Sequence, residues 1–539
     1  MALPRLCTRG RVRLGLATAA AMLLSACQHN AEPKAAAAPA AGPAEIPAVT
    51  AAPSAAAPGG GGNPMQRLAA SNYTDICSSC HGVGLAGGRG PSLFNPRLLS
   101  MRSDAELFAK IMKGVEGAEM PAFEGILPED QIWQIITYIR IQAETIKPKP
   151  AFLQDPNGAV ITSEKQKFRL EVLAKGLETP WGLAFLPDGR MLVTERPGRL
   201  RIIDKAGALQ AAAISGTPKV WERQDGGMLD VAIHPDYARN GWIYLSYAEL
   251  QPGFVVPATP EPLPPGARAP NYPSMTVIVR GKINARNEWV EQQELFRAPV
   301  ELYTTSGAHY GSRFGFDKAG KLFYTLGERN DMKHAQRLDS PLGKIHRIND
   351  DGSIPADNPF LKTPGAIPSI WSYGHRNPQG LAWDPASGLL WESEHGPVGG
   401  DEVNIISPGR NYGWGVISMG MQQGISKREE AGMEQPIAYF TPTIAPSGIS
   451  FYTGSRYPGW KGNLFVAALA GQHLRRLEVS GGKIVAQEII FQQFGRTRAI
   501  ATGPDGLLYV LLQNPTGSGT GLSLSSSTPG SVVRLVPFD

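Results

Sequence analysis

The sequence contains very little cysteine, with Cys7, Cys27, Cys77 and Cys80 as the only cysteines among 539 residues. A structural zinc site usually takes a second cysteine or histidine pair, which this cysteine count cannot supply at Cys77 and Cys80. Long apolar runs are also scarce, because no stretch after the N-terminal segment approaches the about twenty apolar residues of a transmembrane helix. The sequence therefore argues against structural zinc and against a membrane-spanning helix beyond that segment.

The net charge is low once the N-terminal segment is set aside. The formal charge of the chain is +5, but Arg5, Arg9, Arg11 and Arg13 lie within residues 1–26, which hold no acidic residue. The rest of the chain is therefore nearly neutral, and it has no electrostatic basis for binding nucleic acid.

Residues 1–26 have the pattern of an export signal, because the arginines precede a short apolar run from Leu14 to Leu24. The run ends in Leu-Ser-Ala-Cys at Cys27, which resembles a bacterial lipobox, where the cysteine becomes a lipidated N-terminus. We therefore expect a signal peptide over residues 1–26 and a lipid on Cys27. A simple secretory signal with an incidental cysteine is the alternative.

The segment after Cys27 predicts where the protein lies. Gln28 favours the outer over the inner membrane by the same resemblance, so we expect a periplasmic protein held to a membrane by its lipid anchor. Residues 27–63 are mostly alanine, proline and glycine, a composition that predicts an extended tether.

Cys77 and Cys80 belong to a Cys-Ser-Ser-Cys-His motif that ends at His81. This pattern is typical of covalent haem c, in which the two thiols form thioether bonds with the vinyl groups and the histidine binds the iron. A disulfide redox pair is the alternative for the two cysteines. The motif predicts one covalently bound haem c.

The surroundings of this motif resemble a small class I cytochrome c domain over residues 64–147. A helical stretch leads into the motif, and residues 128–144 predict a second helix with proline at its start and acidic residues in its first turn. One face of the second helix is apolar and is expected to pack on the first helix and the haem; it carries Ile132, Ile135, Ile136 and Ile139.

The resemblance implies a methionine as the sixth iron ligand, with Met101, Met112 and Met120 as candidates. Met120 is preferred because its Glu-Met-Pro-Ala-Phe segment matches the ligand loop of the family, whereas Met112 falls in a helical pattern. Thioether ligation raises the haem potential, which suits an electron acceptor. The carbonyl of Pro91 is expected, by the same resemblance, to accept the other ring proton of His81.

Residues 165–539 show no useful helical periodicity but repeat a strand-turn-strand pattern, first from Gly182 to Val193. Six approximate copies, about fifty to eighty residues apart, predict a six-bladed β-propeller with long inserted loops. The later copies lie at Asp230–Tyr247, Arg313–Leu326, Gly380–Trp391, Gly448–Ala467 and Ala499–Leu511. The predicted fold is an all-β propeller preceded by a small all-α cytochrome c domain, with a linker over residues 148–164.

Four polar segments between the repeats carry a family resemblance. They read Gly-Ala-His-Tyr-Gly-Ser-Arg at 307–313, Gly-His-Arg-Asn-Pro-Gln-Gly at 374–380, Glu-His-Gly-Pro at 394–397 and Asn-Tyr-Gly-Trp at 411–414. Together they resemble the soluble quinoprotein glucose/sorbosone dehydrogenases, and more narrowly the bacterial aldose sugar dehydrogenases. The resemblance implies the family's cofactor, pyrroloquinoline quinone (PQQ).

PQQ is a flat ortho-quinone with three carboxylates, so its site needs fixed cations. The resemblance implies that Arg376 bonds the quinone oxygen that becomes anionic on reduction. Its further implied contacts are Asn377, Thr443, Arg496 and Arg498. The two arginines of the 496–498 segment alternate along a strand, so both guanidiniums fall on one face.

One position departs from the family pattern. Where a glutamine usually faces PQQ, this chain places Asp225, with Gln224 beside it. An acid near the carboxylates of PQQ is unfavourable unless calcium or an arginine offsets its charge. Asp225 is the expected contact, and Gln224 is the alternative.

The resemblance also implies a calcium ion held by the backbone carbonyls of Gly396 and Pro397, since calcium prefers hard oxygen donors. Taken alone, this Gly-Pro pair indicates only a turn.

His309 falls at the position of the family's general base, and Glu328 at that of the acid that orients it. A neutral imidazole suits the removal of a sugar hydroxyl proton near neutral pH. A lone histidine in a propeller is more often structural, so the catalytic interpretation depends on the motif.

These features predict a quinoprotein that oxidises the C1 hydroxyl of aldose sugars to lactones by hydride transfer to PQQ. Electrons then pass to the fused haem c and on to a respiratory acceptor. The alternative is a cytochrome c tethered to a non-catalytic propeller that binds a glycan or a protein.

Overall fold

A computed structural model describes residues 63–94, 99, 101–115, 118, 120–146, 155–258, 270–513 and 529–538. The predicted signal peptide over 1–26, the lipidated Cys27 and the tether up to residue 62 lie outside the described residues. All described residues belong to one compact unit.

The N-terminal part is helical, as the sequence predicts. It begins at a capping box, in which Asn63 Oδ1 accepts a hydrogen bond from the backbone N–H of Gln66 at 2.9 Å and Gln66 Oε1 accepts one from Asn63 N–H at 3.0 Å. The helices are α1 Pro64–Asn72, a π-helical turn Tyr73–Cys77, α2 Ser78–His81, a 3₁₀ turn Val83–Leu85, α3 Asp104–Lys113 and α4 Glu129–Ile146.

The apolar face of α4 forms the core of this small domain. The four isoleucines predicted to face inward are buried and pack with Tyr73 of the π turn and with Leu85. Tyr73 is itself anchored, because its hydroxyl donates to the carbonyl of Gly82 at 2.8 Å. None of the helices in the described part of the chain is long and apolar enough to cross a membrane.

The rest of the described chain folds into antiparallel strands. They are β1 Val160–Thr162, β2 Lys167–Leu177, β3 Pro180–Phe185, β4 Met191–Glu195, β5 Arg199–Ile203, β6 Met228–Ile233, β7 Ile243–Leu250, β8 Ser274–Ile283, β9 Trp289–Arg297, β10 Phe314–Phe316, β11 Leu322–Leu326, β12 Lys344–Ile348, β13 Ile370–Tyr373, β14 Pro378–Trp383, β15 Leu390–Glu394, β16 Asp401–Ile406, β17 Ala438–Phe440, β18 Pro446–Phe451, β19 Leu464–Ala468, β20 His473–Ser480, β21 Lys483–Gln492, β22 Arg496–Thr502, β23 Leu508–Gln513 and β24 Gly530–Pro537. Two one-turn helices, α5 Tyr237–Asn240 and α6 Lys333–Gln336, lie between strands.

These strands form six sheets, so the predicted six-bladed propeller is confirmed. Blades one to five follow the chain as β3–β5, β6–β9, β10–β13, β14–β17 and β18–β21. The sixth blade has the order β1-β2-β24-β23-β22, so early and late strands share one sheet. Each sequence repeat corresponds to the first two strands of a blade, apart from the sixth copy, which covers β22 and β23.

The closing blade begins earlier than the repeat pattern indicates. Strand β1 lies within the predicted linker 148–164 and pairs antiparallel with β2, which pairs in turn with β24. This pairing joins the segment after the helical domain directly to the last blade.

Polar side chains from the innermost strands meet in a buried network across the blades. Arg313, next to β10, donates to Asp230 Oδ1 at 2.9 Å and to the carbonyl of Gln379 at 2.7 Å. Arg498 of β22 donates to Gln379 Oε1 at 2.9 Å and to Ser447 Oγ at 3.1 Å. Both guanidiniums lie over the ring of a tryptophan in β3, at 4.3 and 4.9 Å from its centroid. The network therefore fixes the position of Arg498, one of the predicted cofactor contacts.

Candidate active site and haem motif

His309 and Glu328 form a buried pair. The ring Nδ1 of His309 lies 2.6 Å from Glu328 Oε2, which also accepts the backbone N–H of Asn330 at 3.1 Å. Because a carboxylate accepts hydrogen bonds, the proton of a neutral imidazole is on Nδ1 and the lone pair on Nε2. Among the described residues nothing bonds Nε2, so this atom is free to act on a ligand.

The loop that carries His309 is held in a strained form. His309 has a φ of +58°, a left-handed value that is uncommon for a residue with a side chain. Gly327 permits the loop to approach, because a Cβ there would lie 2.2 Å from the carbonyl oxygen of His309. Arg329 braces the same loop through hydrogen bonds to the carbonyls of Ala308 and Ser306.

Arg376 and Asn377 are positioned by the buried carboxylate of Glu394, at the end of β15. Its Oε2 accepts the backbone N–H of Arg376 at 2.6 Å and that of Asn377 at 3.3 Å, while Oε1 lies 3.0 Å from Nδ1 of His375. The guanidinium of Arg376 lies 5.1 Å from the ring of Trp414. Its Nε is buried and has no hydrogen-bond partner in the described part of the chain.

His395 is a buried neighbour of Asn377, and no role was predicted for it from the sequence. Its Nδ1 lies 3.3 Å from Asn377 Nδ2, and its Nε2 has no partner among the residues described. Burial and the positive charge of Arg376 hold the pKa of His395 well below its ordinary value. The ring is therefore neutral at physiological pH.

The predicted arginines gather around the same space. Burial lowers the pKa of Arg496 and of Arg498, and the charge of Asp225 acts on both guanidiniums in the opposite direction. Asp225 also acts on Arg376, and it is exposed at the mouth of the site. Arg498 Nε, like that of Arg376, is a buried donor without a partner in the described ranges.

The Nε atoms of Arg376 and Arg498, unpartnered within the described residues, indicate whether an anion fits between these arginines. A buried N–H without an acceptor costs about 1–3 kcal/mol, so native proteins rarely leave such groups unpaired. A multiply charged planar acid can satisfy the buried guanidinium nitrogens of Arg376 and Arg498. The residues therefore fit PQQ. The charges of Asp225 and Arg496 act on each other, and the contact of Asp225 with PQQ stays a prediction.

Asp401 ties two loops of the site together. Its Oδ1 accepts the N–H of Gly396 at 2.8 Å, and its Oδ2 accepts the hydroxyl of Thr443 at 2.6 Å and the N–H groups of Ile444 and Ala445 at 2.6 and 2.8 Å. Burial raises the pKa of Asp401 although these hydrogen bonds lower it. The predicted calcium and PQQ segments thus share one buried carboxylate.

Acidic side chains lie beside the Gly396-Pro397 segment. A cavity is lined by Gly396, Pro397, Glu394 and Glu402, among others. Ligand atoms of His375, Glu392 and Glu394 lie within 4.8 Å of one another, a spacing that can hold a metal ion. Glu392 Oε1 and Asn404 Oδ1 are buried acceptors without a partner in the described residues. Calcium prefers hard oxygen donors, and the backbone carbonyls of Gly396 and Pro397 and the carboxyl groups that line this cavity are donors of that kind.

The haem motif lies on α2 and the turn before it. Cys77 and Cys80 are free and partly buried, and Nδ1 of His81 lies 2.9 Å from the carbonyl oxygen of Pro91, the contact that the resemblance implies. Met120 is partly buried, and its backbone carbonyl accepts a hydrogen bond from the N–H of Val115 at 3.1 Å.

The other two methionine candidates lie where a ligand is less favoured. Met101 is 70% exposed, and Met112 is in α3, packed on the domain core. Met120 as the sixth ligand of the iron stays a prediction.

Sequence reasoning missed Glu394, Asp401 and Trp414 as parts of the site. Glu394 and Trp414 belong to segments that carry the family resemblance, so their position in the chain was a signal, but their partners are distant in sequence. Asp401 opens β16 with no motif of its own. The roles of all three depend on hydrogen bonds or ring contacts that only the folded loops create.

Two family models match the chain. The "Glucose / Sorbosone dehydrogenase" model covers residues 177–522, and the model described as "Cytochrome C oxidase, cbb3-type, subunit III" covers residues 64–139. The two matches fall on the propeller and on the helical domain.

Individual proteins agree with these models. The chain is 40% identical to aldose sugar dehydrogenase YliI of Escherichia coli over 357 residues, covering 65% of this chain and 91% of that protein. The apo-form structure of the soluble aldose sugar dehydrogenase from Escherichia coli matches with a TM-score of 0.60 and 36% identity over 69% of this chain and 100% of its own. The PQQ-bound aldose sugar dehydrogenase of Streptomyces coelicolor matches with a TM-score of 0.52 and 27% identity, over 72% and 100%.

Proposed function

Because the chain belongs to the glucose/sorbosone dehydrogenase family and carries a cytochrome c domain, we propose that it is a PQQ-dependent aldose dehydrogenase with its own electron acceptor. The proposed reaction oxidises the C1 hydroxyl of an aldose to the lactone. Electrons pass to the haem c of the same chain and then to a respiratory acceptor.

The pair of His309 and Glu328 beside unpartnered arginine nitrogens is the observation that carries this proposal. A general base needs a free lone pair and a partner that orients the ring, and the 2.6 Å contact between Nδ1 and Glu328 supplies the partner. A non-catalytic binding propeller has no need for a buried histidine in a left-handed conformation with its outer nitrogen free.

The chain's residues divide the work of the reaction. When bound, PQQ accepts the hydride that leaves C1 of the sugar. His309 takes the hydroxyl proton at Nε2, and Glu328 stabilises the resulting imidazolium through Nδ1. Arg376 supplies a fixed positive charge for the oxygen that becomes anionic.

The remaining predicted contacts orient the cofactor. Arg496 and Arg498 would hold its carboxylates, with Asn377 and Thr443 as neutral partners. Asp225 would keep the local charge from becoming excessively positive, since its field acts on Arg376, Arg496 and Arg498.

We also propose calcium as the metal of this site, held by the carbonyls of Gly396 and Pro397. Two observations support it: the cavity lined by these residues also contains carboxylates, and buried acceptor oxygens nearby lack partners in the described part of the chain. Calcium would add a positive charge that polarises the quinone.

In the cytochrome c domain, thioether bonds from Cys77 and Cys80 would fix the haem. His81, oriented by Pro91, and Met120 would ligate the iron.

The proposed location is the periplasm, with the lipid on Cys27 holding the protein to a membrane, more favourably the outer one. Metabolic labelling with a radioactive fatty acid tests this. The parent protein is expected to carry the label and to remain with the membrane. The Cys27→Ser protein is expected to be unlabelled and released from the membrane. Equal membrane recovery of both would contradict a lipid anchor.

An aldose panel with an artificial dye tests the enzymatic function. The purified protein is expected to reduce the dye only when both PQQ and calcium are added, with one or more aldoses as substrate. His309→Gln is expected to keep bound PQQ, measured by its absorption, while kcat falls by about 10²–10⁴. Glycan or protein binding without turnover by any aldose would instead support the non-catalytic propeller.

A further inference from the structure

One loop of the propeller lies between the cavity lined by Arg376 and Gly396 and the cytochrome c domain. Residues 407–437 connect β16 to β17 in the fourth blade, and we call them the bridging loop. On one side, Tyr412, Trp414, Ile417 and Ser418 line the cavity that contains Arg376. On the other side, Ser418 and residues within 420–428 of the loop line a second cavity together with Trp133 and Gln134 of α4. Ser418 thus lines both cavities.

A buried carboxylate of the cytochrome c domain anchors this contact. Asp104, in the first turn of α3, is 6% exposed and accepts the hydroxyl of Tyr439 in β17 at 2.8 Å. Its other oxygen accepts Nε of Arg140 within its own domain at 2.9 Å. Arg428 of the bridging loop lies 3.8 Å from the same carboxylate. One side chain therefore joins the two domains.

Aromatic rings continue the contact into the cytochrome c domain. The guanidinium of Arg428 lies 4.3 Å from the ring centroid of Trp133 and 5.5 Å from that of Tyr439. Trp133 stacks on Phe108 with centroids 4.2 Å apart and planes 11° apart. Both rings pack against the core that surrounds the Cys77 turn.

We propose that the bridging loop and Trp133 form the electron-transfer contact between the sugar-oxidising site and the haem domain, with Asp104, Arg428 and Tyr439 as its positioning residues. This inference rests on the proposed function. The loop lines the cavity that contains Arg376, and its Arg428 lies over Trp133 of the aromatic pair in the other domain. A fixed contact also makes transfer independent of diffusion between the domains.

The electron balance of this route is simple. Oxidation of one C1 hydroxyl to a lactone releases two electrons and two protons, and the protons leave to water, the first through His309. The electrons cross the contact singly, each reducing ferric to ferrous iron in the haem domain. An external one-electron acceptor removes the first before the second arrives.

A double variant, Arg428→Met with Tyr439→Phe, removes the propeller's contacts with Asp104 and leaves His309, Glu328 and Arg376 unchanged. Arg534→Met with Tyr509→Phe is the matched control, because these residues make a similar arginine, tyrosine and carboxylate cluster on the sixth blade, away from the contact. Trp133→Leu tests the aromatic step with the polar bonds retained. All variants are studied as full-length protein carrying haem, PQQ and calcium.

Two measurements of reactivity are compared, using the aldose that is most active in the dye panel. The interface variant and Trp133→Leu are expected to keep the dye-linked rate within about twofold, since dye takes electrons directly. Their haem reduction in stopped-flow absorption is expected to be slower by about tenfold or more, because the haem domain then has a lower effective concentration at the propeller. The control variant is expected to match the parent in both.

Two further measurements do not depend on turnover. Small-angle X-ray scattering is expected to give a larger radius of gyration for the interface variant than for the parent and control. The midpoint potential of the haem is expected to be unchanged in that variant, which separates a lost contact from a damaged haem site.

The outcomes separate the inference from the function beneath it. Unchanged haem reduction rates in both the interface variant and Trp133→Leu would overturn the bridge while leaving the dehydrogenase intact. Dye reduction without any haem reduction in the parent would reject internal electron transfer altogether. Absence of dye reduction with every aldose would reject the proposed function, and the bridge with it.

Discussion

Glu328 illustrates how a residue can control a reaction without touching the substrate. It fixes the ring of His309 and the tautomer that leaves Nε2 free, through the 2.6 Å contact with Nδ1. We expect Glu328→Gln to lower kcat by about 10² or more while KM changes little. Without the carboxylate the ring proton can move to Nε2, and His309 then has no lone pair there to act as the base. Dye-linked kinetics at equal PQQ content measure this.

The control for this prediction is Glu301→Gln, an exposed acid in the 3₁₀ turn Val300–Leu302 after β9. Its kcat should equal that of the parent. Equal kcat values for Glu328→Gln and the parent would show that His309 needs no carboxylate partner.

His346 links folding stability to pH. Burial lowers its pKa to about 3, and its neutral ring lies 2.9 Å from Ser369 Oγ and 2.8 Å from the carbonyl of Pro341. The unfolded chain binds a proton near pH 6.5, so the stability contributed by the neutral ring is present above that pH and is lost as pH falls toward 3. The free energy of unfolding should therefore decline on acidification.

The share of His346 in this decline can be isolated by substitution. Between pH 6 and pH 4, His346→Gln should reduce the slope of the unfolding free energy against pH by about 1.4 kcal/mol per unit. Denaturant titrations at each pH measure the slope. Parallel curves for variant and parent would mean that the ring is protonated in the folded state.

At this scale the sequence was informative where a motif named the residue. His309, Glu328, Arg376 and Asn377 were predicted from their segments. Glu328 joins these segments in the structure, because its Oε2 lies beside Nδ1 of His309 and its N–H donates to the carbonyl of Arg376 at 2.9 Å. Glu394 could not be assigned, because its role depends on backbone N–H groups that reach it only after β14 and β15 pair.

Among the elements, the loops around β16 depend on one carboxylate. Asp401 accepts hydrogen bonds from the Gly396 and Thr443 segments, one segment at each carboxylate oxygen. Asparagine at this position would replace one of the two oxygens by an NH₂ group, which cannot accept a hydrogen bond. We expect Asp401→Asn to weaken the retention of calcium and PQQ by about 10–100-fold, as for other groups that orient metal ligands. Equilibrium dialysis and PQQ absorption measure the two affinities.

Asp384→Asn is the matched control, since Asp384 is also buried but orders the turn between β14 and β15. Its affinities should match those of the parent. If Asp401→Asn also retained both ligands fully, the two loops would not need a common anchor.

Elements with strong local patterns were predicted well. The apolar face of α4 and the first two strands of the blades have clear periodicities, and both are present. The outer strands β9, β13, β17 and β21 lie at sheet edges with weaker alternation, so repetition alone did not identify them. Strand β1 was assigned to the linker, because three residues carry no pattern until β2 is placed beside them.

At the scale of the whole molecule, Arg476 of the fifth blade bonds Glu164, which lies between β1 and β2 of the sixth blade. We call the stretch from β1 to β2 the closing segment. Arg476 is fully buried and bonds Glu164 Oε2 and Glu488 Oε2 at 2.9 Å each and Asn463 Oδ1 at 2.8 Å. Removing the arginine leaves the carboxylate of Glu488, whose side chain is only 12% exposed, without its cation, whereas Glu164 is 61% exposed and stays solvated. We expect Arg476→Met to lower the free energy of unfolding of the propeller by about 3 kcal/mol.

Chemical denaturation followed by tryptophan fluorescence measures this loss. Arg456→Met, at an exposed position of the same blade, should change stability by less than about 0.5 kcal/mol. A similar small change for Arg476→Met would show that the closing segment is held by strand pairing alone.

The division into a cytochrome c domain and a propeller was predicted from the sequence, but the contact between them was not. Asp104, Trp133 and Arg428 belong to no motif, and the pairs they form join residues some three hundred positions apart. Such contacts depend on the placement of whole domains, which local patterns do not encode.

The sharing of the sixth blade between β2 and β24 has a consequence for biogenesis. Strand β2 leaves the ribosome more than three hundred residues before β24, so its edge waits unpaired while the intervening blades are synthesised. The helices of the cytochrome c domain draw their core from residues 73–143 and need no later strand. Haem attachment can thus be complete before the ring closes, and a chain truncated before β24 would be a matured cytochrome joined to an unclosed, aggregation-prone sheet.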